Sequence, residues 1–324
     1  MTTVMVTGVG AIMGYGLLRS LRQTNPTLHL VGSDIYSDAV GQVWADVFEQ
    51  APYTSSSDYQ AWLRDIIERH KVDLLIPGIE QDVQRLSAEP EILRGMPCKV
   101  VLNDANLVRL TQDKWLMHQE LLRLDEDSRI PSYIEGTYEM LVERVGLPFI
   151  LKPRRSYASK GLVRVTSRDD FTAHAASLGE VLVAQMLVGS DDQEYTVGAF
   201  GDGWGGVACS ITLQRRLASD GSTAKAWVRQ EPSLDEVVRR LCAYFRPVGP
   251  TNLQFRRDET GWKLLEINPR ISSTSSLRTA FGYNEGAMCL DFFLRGNLPS
   301  QPDIHLGFAV RFIQDYVIHD RDHF

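Results

Sequence analysis

Two strand-like runs near the C-terminal end of this 324-residue chain, Thr251 to Arg257 and Trp262 to Asn268, are separated only by Asp258-Glu259-Thr260-Gly261. A short turn of this composition between two such runs predicts a β-hairpin. Alternate residues of a strand face one side, so Glu266 and Asn268 point together, with Gln254 available from the neighbouring strand. The apolar residues Leu264, Leu265 and Ile267 predict a packed hairpin rather than a solvated edge. One carboxylate and two amide oxygens on one face form a hard-oxygen site suited to Mg²⁺, with Mn²⁺ as an alternative ion. Arg270, two residues on, can reach the same face and hold a phosphoryl oxygen through its guanidinium.

The N-terminal third reads differently. Thr3 to Thr7 is a short apolar run, followed by Gly8-Val9-Gly10-Ala11-Ile12-Met13-Gly14, a helical stretch through Leu17, Leu18 and Leu21, and a second strand, Leu28 to Gly32, ending at Asp34. That unit has the size of a βαβ crossover. Further strands at Val72 to Pro77 and Lys99 to Leu102 complete a small doubly wound α/β domain. Gly8, Gly10, Gly14 and Asp34 suggest a dinucleotide loop, and an NAD(P)-dependent oxidoreductase is the alternative from a different class. The spacing is GxGxxxG rather than GxGxxG, however, and a tight strand-to-helix turn with no dinucleotide is the favoured reading.

After Asn103 a long helical stretch is expected from Ala105 to Leu124, then a helix from Tyr138 to Val145 and strands at Pro148 to Lys152, Leu162 to Val165 and Val181 to Gln185. Antiparallel strands follow at Glu194 to Phe200, Gly206 to Leu213 and Ala224 to Arg229, with a helix from Ser233 to Phe245 before the hairpin. The expected fold class is α/β, becoming α+β in the C-terminal lobe.

Composition narrows the function. A net charge of −7 argues against nucleic-acid or anionic-membrane binding, which need a basic field. No apolar run approaches the roughly 20 residues of a membrane helix. No secretory pattern opens the chain, so a cytoplasmic location is expected. Cys98, Cys209, Cys242 and Cys289 are scattered without CxxC spacing and predict buried reduced thiols.

The run Glu266-Ile267-Asn268-Pro269-Arg270 continues through Ile271-Ser272-Ser273-Thr274-Ser275-Ser276 to Phe281-Gly282-Tyr283. It resembles the ATP-grasp core of the carbamoyl phosphate synthetase large subunit and its smaller single-unit relatives. The resemblance runs in order through nearly the whole chain but covers one such unit, where the large subunit contains two. It implies a pre-ATP-grasp domain over residues 1–104, an ATP-grasp N-lobe over 105–182 and a C-lobe over 183–324.

The resemblance also implies roles. In Thr111-Gln112-Asp113-Lys114, Lys114 is expected on ATP phosphates, and in Phe149-Ile150-Leu151-Lys152-Pro153, Lys152 is expected on a phosphate and the adenine edge. Lys160, with Arg154 and Arg155, lies in a loop where relatives carry a glycine-rich flap. Val183 to Gly189 resembles the hinge whose backbone meets adenine, through Gln185, Met186 and Leu187, and Glu194 corresponds to the residue on the ribose hydroxyls. Gln254, Glu266 and Asn268 are the implied metal ligands, and Lys114, Lys152 and Arg270 the charge stabilisers.

The implied reaction activates a small-molecule carboxylate as an acyl phosphate for attack by an amine, with ATP and Mg²⁺. A small-molecule kinase or carbamate-phosphorylating subunit is the alternative within this frame. For the substrate carboxylate, Arg278 and Arg311 are candidates, together with Arg215, Arg216 and Arg229. His319 and His323 have i,i+4 spacing at a polar chain end. A homodimer is left open.

Overall fold

The computed structural model describes residues 1–155 and 161–317. Lys160, His319 and His323 lie outside the described residues.

A five-stranded parallel sheet is built from β1 (Thr3–Thr7), β2 (His29–Asp34), β3 (Val47–Gln50), β4 (Leu74–Ile76) and β5 (Lys99–Val100), in the order β3-β2-β1-β4-β5. Its alternation is two-sided. Val4 and Val6 face a core with α1 (Ile12–Thr24), whereas Met5 faces a second core with α2 (Tyr59–His70). A parallel sheet covered on both faces explains why the strands are nearly continuous apolar runs. A further helix, α3 (Glu80–Ala88), follows β4.

The glycines after β1 serve close packing. Gly8 has φ +62°, and a Cβ on Gly14 would lie 2.3 Å from the Gly8 carbonyl oxygen. This turn accounts for their spacing without a dinucleotide.

The long helix expected from 105 to 124 is two helices, α4 (Ala105–Thr111) and α5 (Lys114–Arg123). Asp113 causes the break, because its side chain accepts hydrogen bonds from the Trp115 and Leu116 amides as an N-cap. The cap sets Lys114 as the first residue of α5.

A four-stranded sheet comes next. Its strands are β6 (Ser132–Tyr133), β7 (Phe149–Pro153), β8 (Val163–Val165) and β9 (Leu182–Met186), in the order β6-β9-β7-β8. It packs with α6 (Tyr138–Val145) and α7 (Arg168–Thr172), around Leu141, Phe149, Leu151 and Phe171.

The C-terminal part is a six-stranded antiparallel sheet of β10 (Glu194–Asp202), β11 (Val207–Leu217), β12 (Thr223–Arg229), β13 (Val248–Asp258), β14 (Gly261–Asn268) and β15 (Phe308–Val310). One face packs Val197, Leu253 and Ile267 against α8 (Pro232–Phe245) and the α5 residues Met117 and Leu121. On the other, Phe200, Ile211 and Leu213 join the α1 core, with residues of the segment carrying α9 (Ser275–Ala280) and α10 (Glu285–Cys289). That shared core ties the N-terminal unit to the six-stranded sheet. Among the described residues no helix is long and apolar enough to cross a membrane.

Candidate nucleotide and metal site

The four-stranded and six-stranded sheets enclose a cleft of about 500 Å³. Its floor is the predicted hairpin, β13 paired with β14, where Gln254 stands directly opposite Glu266 and Asn252 opposite Asn268. A β-bulge interrupts the pairing: Phe255 faces Leu264, leaving Leu265 as an extra residue. Strict alternation would put Leu264 and Glu266 on one face. The bulge instead lets Leu264 and Ile267 share the core while Glu266 and Asn268 border the cleft.

Two lysines face this floor. Lys152 comes from β7 and Lys114 from the start of α5, and both border the cleft. Burial first, and then the charge of Lys114, together bring the Lys152 ammonium down to about 7, with Glu266 opposing both. Burial also lowers Lys114, against Glu266 and then Asp113. Two ammonium groups bordering one cleft favour an anion between them.

Arg270 borders the cleft and is held on three sides. Its Nε donates to Glu80 of α3, its Nη2 to the Asn268 Oδ1 (3.2 Å) and its Nη1 to the Ile271 carbonyl (3.1 Å). Glu80 and Met13 therefore bring the N-terminal unit to the mouth of the cleft. Glu194 also borders it, but it is 3% exposed and both its oxygens are engaged. Arg215 Nη2 donates to Oε1 at 2.9 Å, and Arg256 donates to Oε2 through Nε and Nη2 at 3.1 and 3.0 Å. The same Arg215 Nη2 donates to Gln254 Oε1 at 2.7 Å. This web fixes the Gln254 side chain, with its amide oxygen held on the Arg215 guanidinium.

At the end of β9, Gln185, Met186 and Leu187 border the cleft, with Gln185 laddered to both Ser132 of β6 and Ile150 of β7. The Gln185 side chain donates to Ser132 Oγ (2.7 Å), so it braces the sheet.

The arginines expected at a substrate separate sharply. Arg278 is fully buried and does not border the cleft: its Nη1 donates to Glu285 Oε1 (3.0 Å) and its Nη2 to Thr196 Oγ1 (3.1 Å) and Asn252 Oδ1 (2.5 Å). It packs flat over Gly198, where a Cβ would come within 2.7 Å of the guanidinium carbon. So enclosed, the guanidinium faces Glu285, Thr196 and Asn252 rather than the cleft. Arg311 does not border the cleft either: it directly follows β15, which ends at Val310, and its guanidinium donates to the Thr223 and Ser273 carbonyls. Arg216 forms an exposed ion pair with Asp192, and Arg229 reaches Gln214. Of that central group only Arg215 borders the cleft. Sequence reading missed Arg256, Arg164 and Glu80, which border it from strands and a helix far apart in the chain. Only the parity of Gln254 and Arg256 on one strand could have pointed to one of them.

The four cysteines are buried and free, with burial pushing Cys209 up to about 11. Among the described residues no group of three or more His, Cys, Asp or Glu side chains is placed to hold a metal. The candidate set instead combines one carboxylate with the amide oxygens of Gln254 and Asn268. Hard oxygens opposite two lysines fit a divalent cation carried on a polyphosphate.

Residues 177–316 match the family model described as ATP-grasp in the biosynthetic pathway with Ter operon. The carbamoyl phosphate synthase large chain of Methanosarcina mazei is 22% identical over 244 residues, covering 68% of this chain and 22% of the relative. That of Methanothermobacter thermautotrophicus is 25% identical over 293 residues, covering 82% and 26%. The chain thus spans about a quarter of the length of those relatives. Among solved structures, N5-carboxyaminoimidazole synthetase from Staphylococcus aureus complexed with ADP superposes with a TM-score of 0.72 at 19% identity, covering 94% of this chain and 80% of the other. Biotin carboxylase from Campylobacter jejuni, in a nucleotide complex, gives 0.72 at 17% identity, covering 95% and 74%. None of these relatives favours an oxidoreductase.

Proposed function

From a chain that has the ATP-grasp fold and resembles one unit of the carbamoyl phosphate synthase large chain, we propose an ATP- and Mg²⁺-dependent carboxylate–amine ligase. The observation that carries this reading is the convergence of Lys114 and Lys152 on the Gln254–Glu266–Asn268 floor of one cleft. The proposed units are 1–104, 105–182 and 183–324, with the nucleotide held between the last two.

In this reading Glu266, Asn268 and Gln254 hold the cation, which when bound supplies charge neutralisation along the phosphates. Lys114 and Lys152 bind phosphate oxygens, and Arg270 stabilises charge as the γ-phosphoryl group moves. The hinge backbone from Gln185 to Leu187 meets adenine, and Glu194 offers its remaining lone pair, on Oε1, to the ribose. A substrate carboxylate oxygen attacks the γ-phosphorus and ADP leaves. An amine then attacks the acyl carbon of the acyl phosphate, phosphate departs, and the nitrogen loses a proton to give an amide. The enzyme's share is positioning and electrostatics, in a cleft walled on two sides by sheet.

The experiment is an ADP-release screen of small carboxylates against amines with Mg-ATP. Release that needs both partners supports the ligase. A stable phosphorylated product formed from one partner would instead identify a small-molecule kinase or a carbamate-phosphorylating unit.

A further inference from the structure

A second cavity, of about 920 Å³, lies outside the nucleotide cleft at the C-terminal ends of β1, β2 and β4. The sheet order reverses between β1 and β4, and such a switch point opens a crevice beyond the strand ends. The chemistry of its walls is lopsided. Asp34, Asp38, Asp82 and Glu89 border it, and among the described residues Arg85 is the one basic side chain that does. Arg85 is already committed, donating to the Thr54 and Ser56 carbonyls and to Glu89 Oε2.

Asp82 is buried beside the cavity and accepts from neutral donors, among them Thr54 Oγ1 (2.6 Å) and the Tyr59 hydroxyl (2.9 Å). Burial, with Asp34 nearby, pushes its carboxyl above the ordinary range. Ionising a buried carboxyl group among neutral donors is costly, and a cation bound in the cavity would lower that cost. Ser33, fully buried on β2, also borders the cavity, and its Oγ has no hydrogen-bond partner among the described residues. An orphan hydroxyl of this kind marks a place where a partner is missing. Tyr36 and Tyr53 expose their rings at the rim, at 63% and 66%, next to Pro52 and Trp62. Aromatic faces beside carboxylates suit an organic cation.

We propose that this cavity is a second ligand site, for a small primary amine in its ammonium form carrying an aromatic or apolar body. The ammonium sits toward Ser33 and the Asp34–Asp82 wall, and the apolar body rests against Tyr36 and Tyr53. The site stands independently of the nucleotide reading, since no residue of the metal floor contributes to it. It is nevertheless adjacent to the cleft: Gln81 and Gln112 border the cavity while Glu80 and Lys114 border the cleft.

The test uses the full chain with phenethylamine as probe and phenylacetate as its anionic counterpart, followed by calorimetry and ligand-observed NMR. Phenethylammonium is expected to bind saturably and at least about tenfold more tightly than phenylacetate. Ser33→Ala and Asp38→Asn should each weaken it about fivefold while leaving Mg-ADP affinity unchanged. Ser33→Ala carries an internal control. It removes an unpaired buried hydroxyl, so the ligand-free variant should melt no lower than wild type, and its loss of binding cannot be ascribed to unfolding. No saturable phenethylammonium binding up to about 10 mM, equal binding of phenylacetate, or unchanged affinity in both variants would each overturn the proposal.

Discussion

Lys152 gives the sharpest test of the nucleotide site, because its charge is conditional. Burial and the adjacent Lys114 bring its ammonium down to about 7 from an ordinary 10.5. A polyphosphate placed between the lysines restores the favourable partner, so binding takes up the proton that Lys152 lacks at alkaline pH. Above pH 7 the terminal phosphate of the nucleotide is already ionised, and any slope belongs to the protein. With a ligand-free value of about 7, roughly half the chains carry the proton at pH 7 and about 3% at pH 8.5. The apparent Kd for Mg-ADP should therefore weaken about 15-fold over that interval. Lys152→Met should bind weakly with no such slope, and Lys152→Arg, always charged, should bind without it too. Lys114→Met should move the break to higher pH by removing a neighbouring positive charge.

The same group predicts the opposite trend in stability. Between about 7 and 10.5 the unfolded chain holds the proton and the folded, ligand-free chain has lost it. Unfolding then takes up a proton, so stability rises with pH across that window. The full difference, at about 1.4 kcal/mol per pH unit, is about 5 kcal/mol. That is an upper bound, because Lys152 still borders the cleft. Calorimetric titrations and denaturant melts at four or five pH values read both trends. A wild-type Mg-ADP affinity that stays flat from pH 7 to 8.5 would refute the reasoning.

Three further outcomes follow from other parts of the fold. Glu266→Ala should abolish ADP release and leave the near-ultraviolet dichroism unchanged; wild-type turnover in the folded variant would remove Glu266 from the metal floor. Arg278→Met should cost about 3–5 kcal/mol by stranding the buried Glu285 carboxylate, and Arg278→Met with Glu285→Met should recover most of it in urea melts. Asp113→Ala should lose about 1 kcal/mol from the N-cap of α5 alone. Although burial opposes it, the bond from Arg154 helps hold the Asp113 carboxyl below its usual range, so its contribution should be present above about pH 4 and fade as acid protonates it, which melts at pH 3 and pH 6 would check.

What could be read from sequence was whatever repeats over a few residues. The apolar runs of β1 and β2, the hairpin at Asp258 to Gly261 and the helix from Tyr138 to Val145 carry their own periodicity, and they form where expected. The pairing of Gln254 with Glu266 needed only a turn length and the parity of two strands. The helix expected across 105–124 broke because one capping aspartate outweighed the apolar pattern, a local effect that could have been weighed.

Other features depended on partners distant in the chain. Leu265 becomes a bulge because Leu264 and Ile267 must both reach the core beneath α8. Arg278 is a structural ion pair rather than a substrate contact, because Gly198, Thr196 and Glu285 close around it. Arg256 joins the site because it and Arg215 grip Glu194 from the two flanking strands. A charged residue carries the same letter whether it is buried with a partner or free to meet a ligand. Its role is set by burial and by the geometry of distant neighbours, which only the assembled sheets supply.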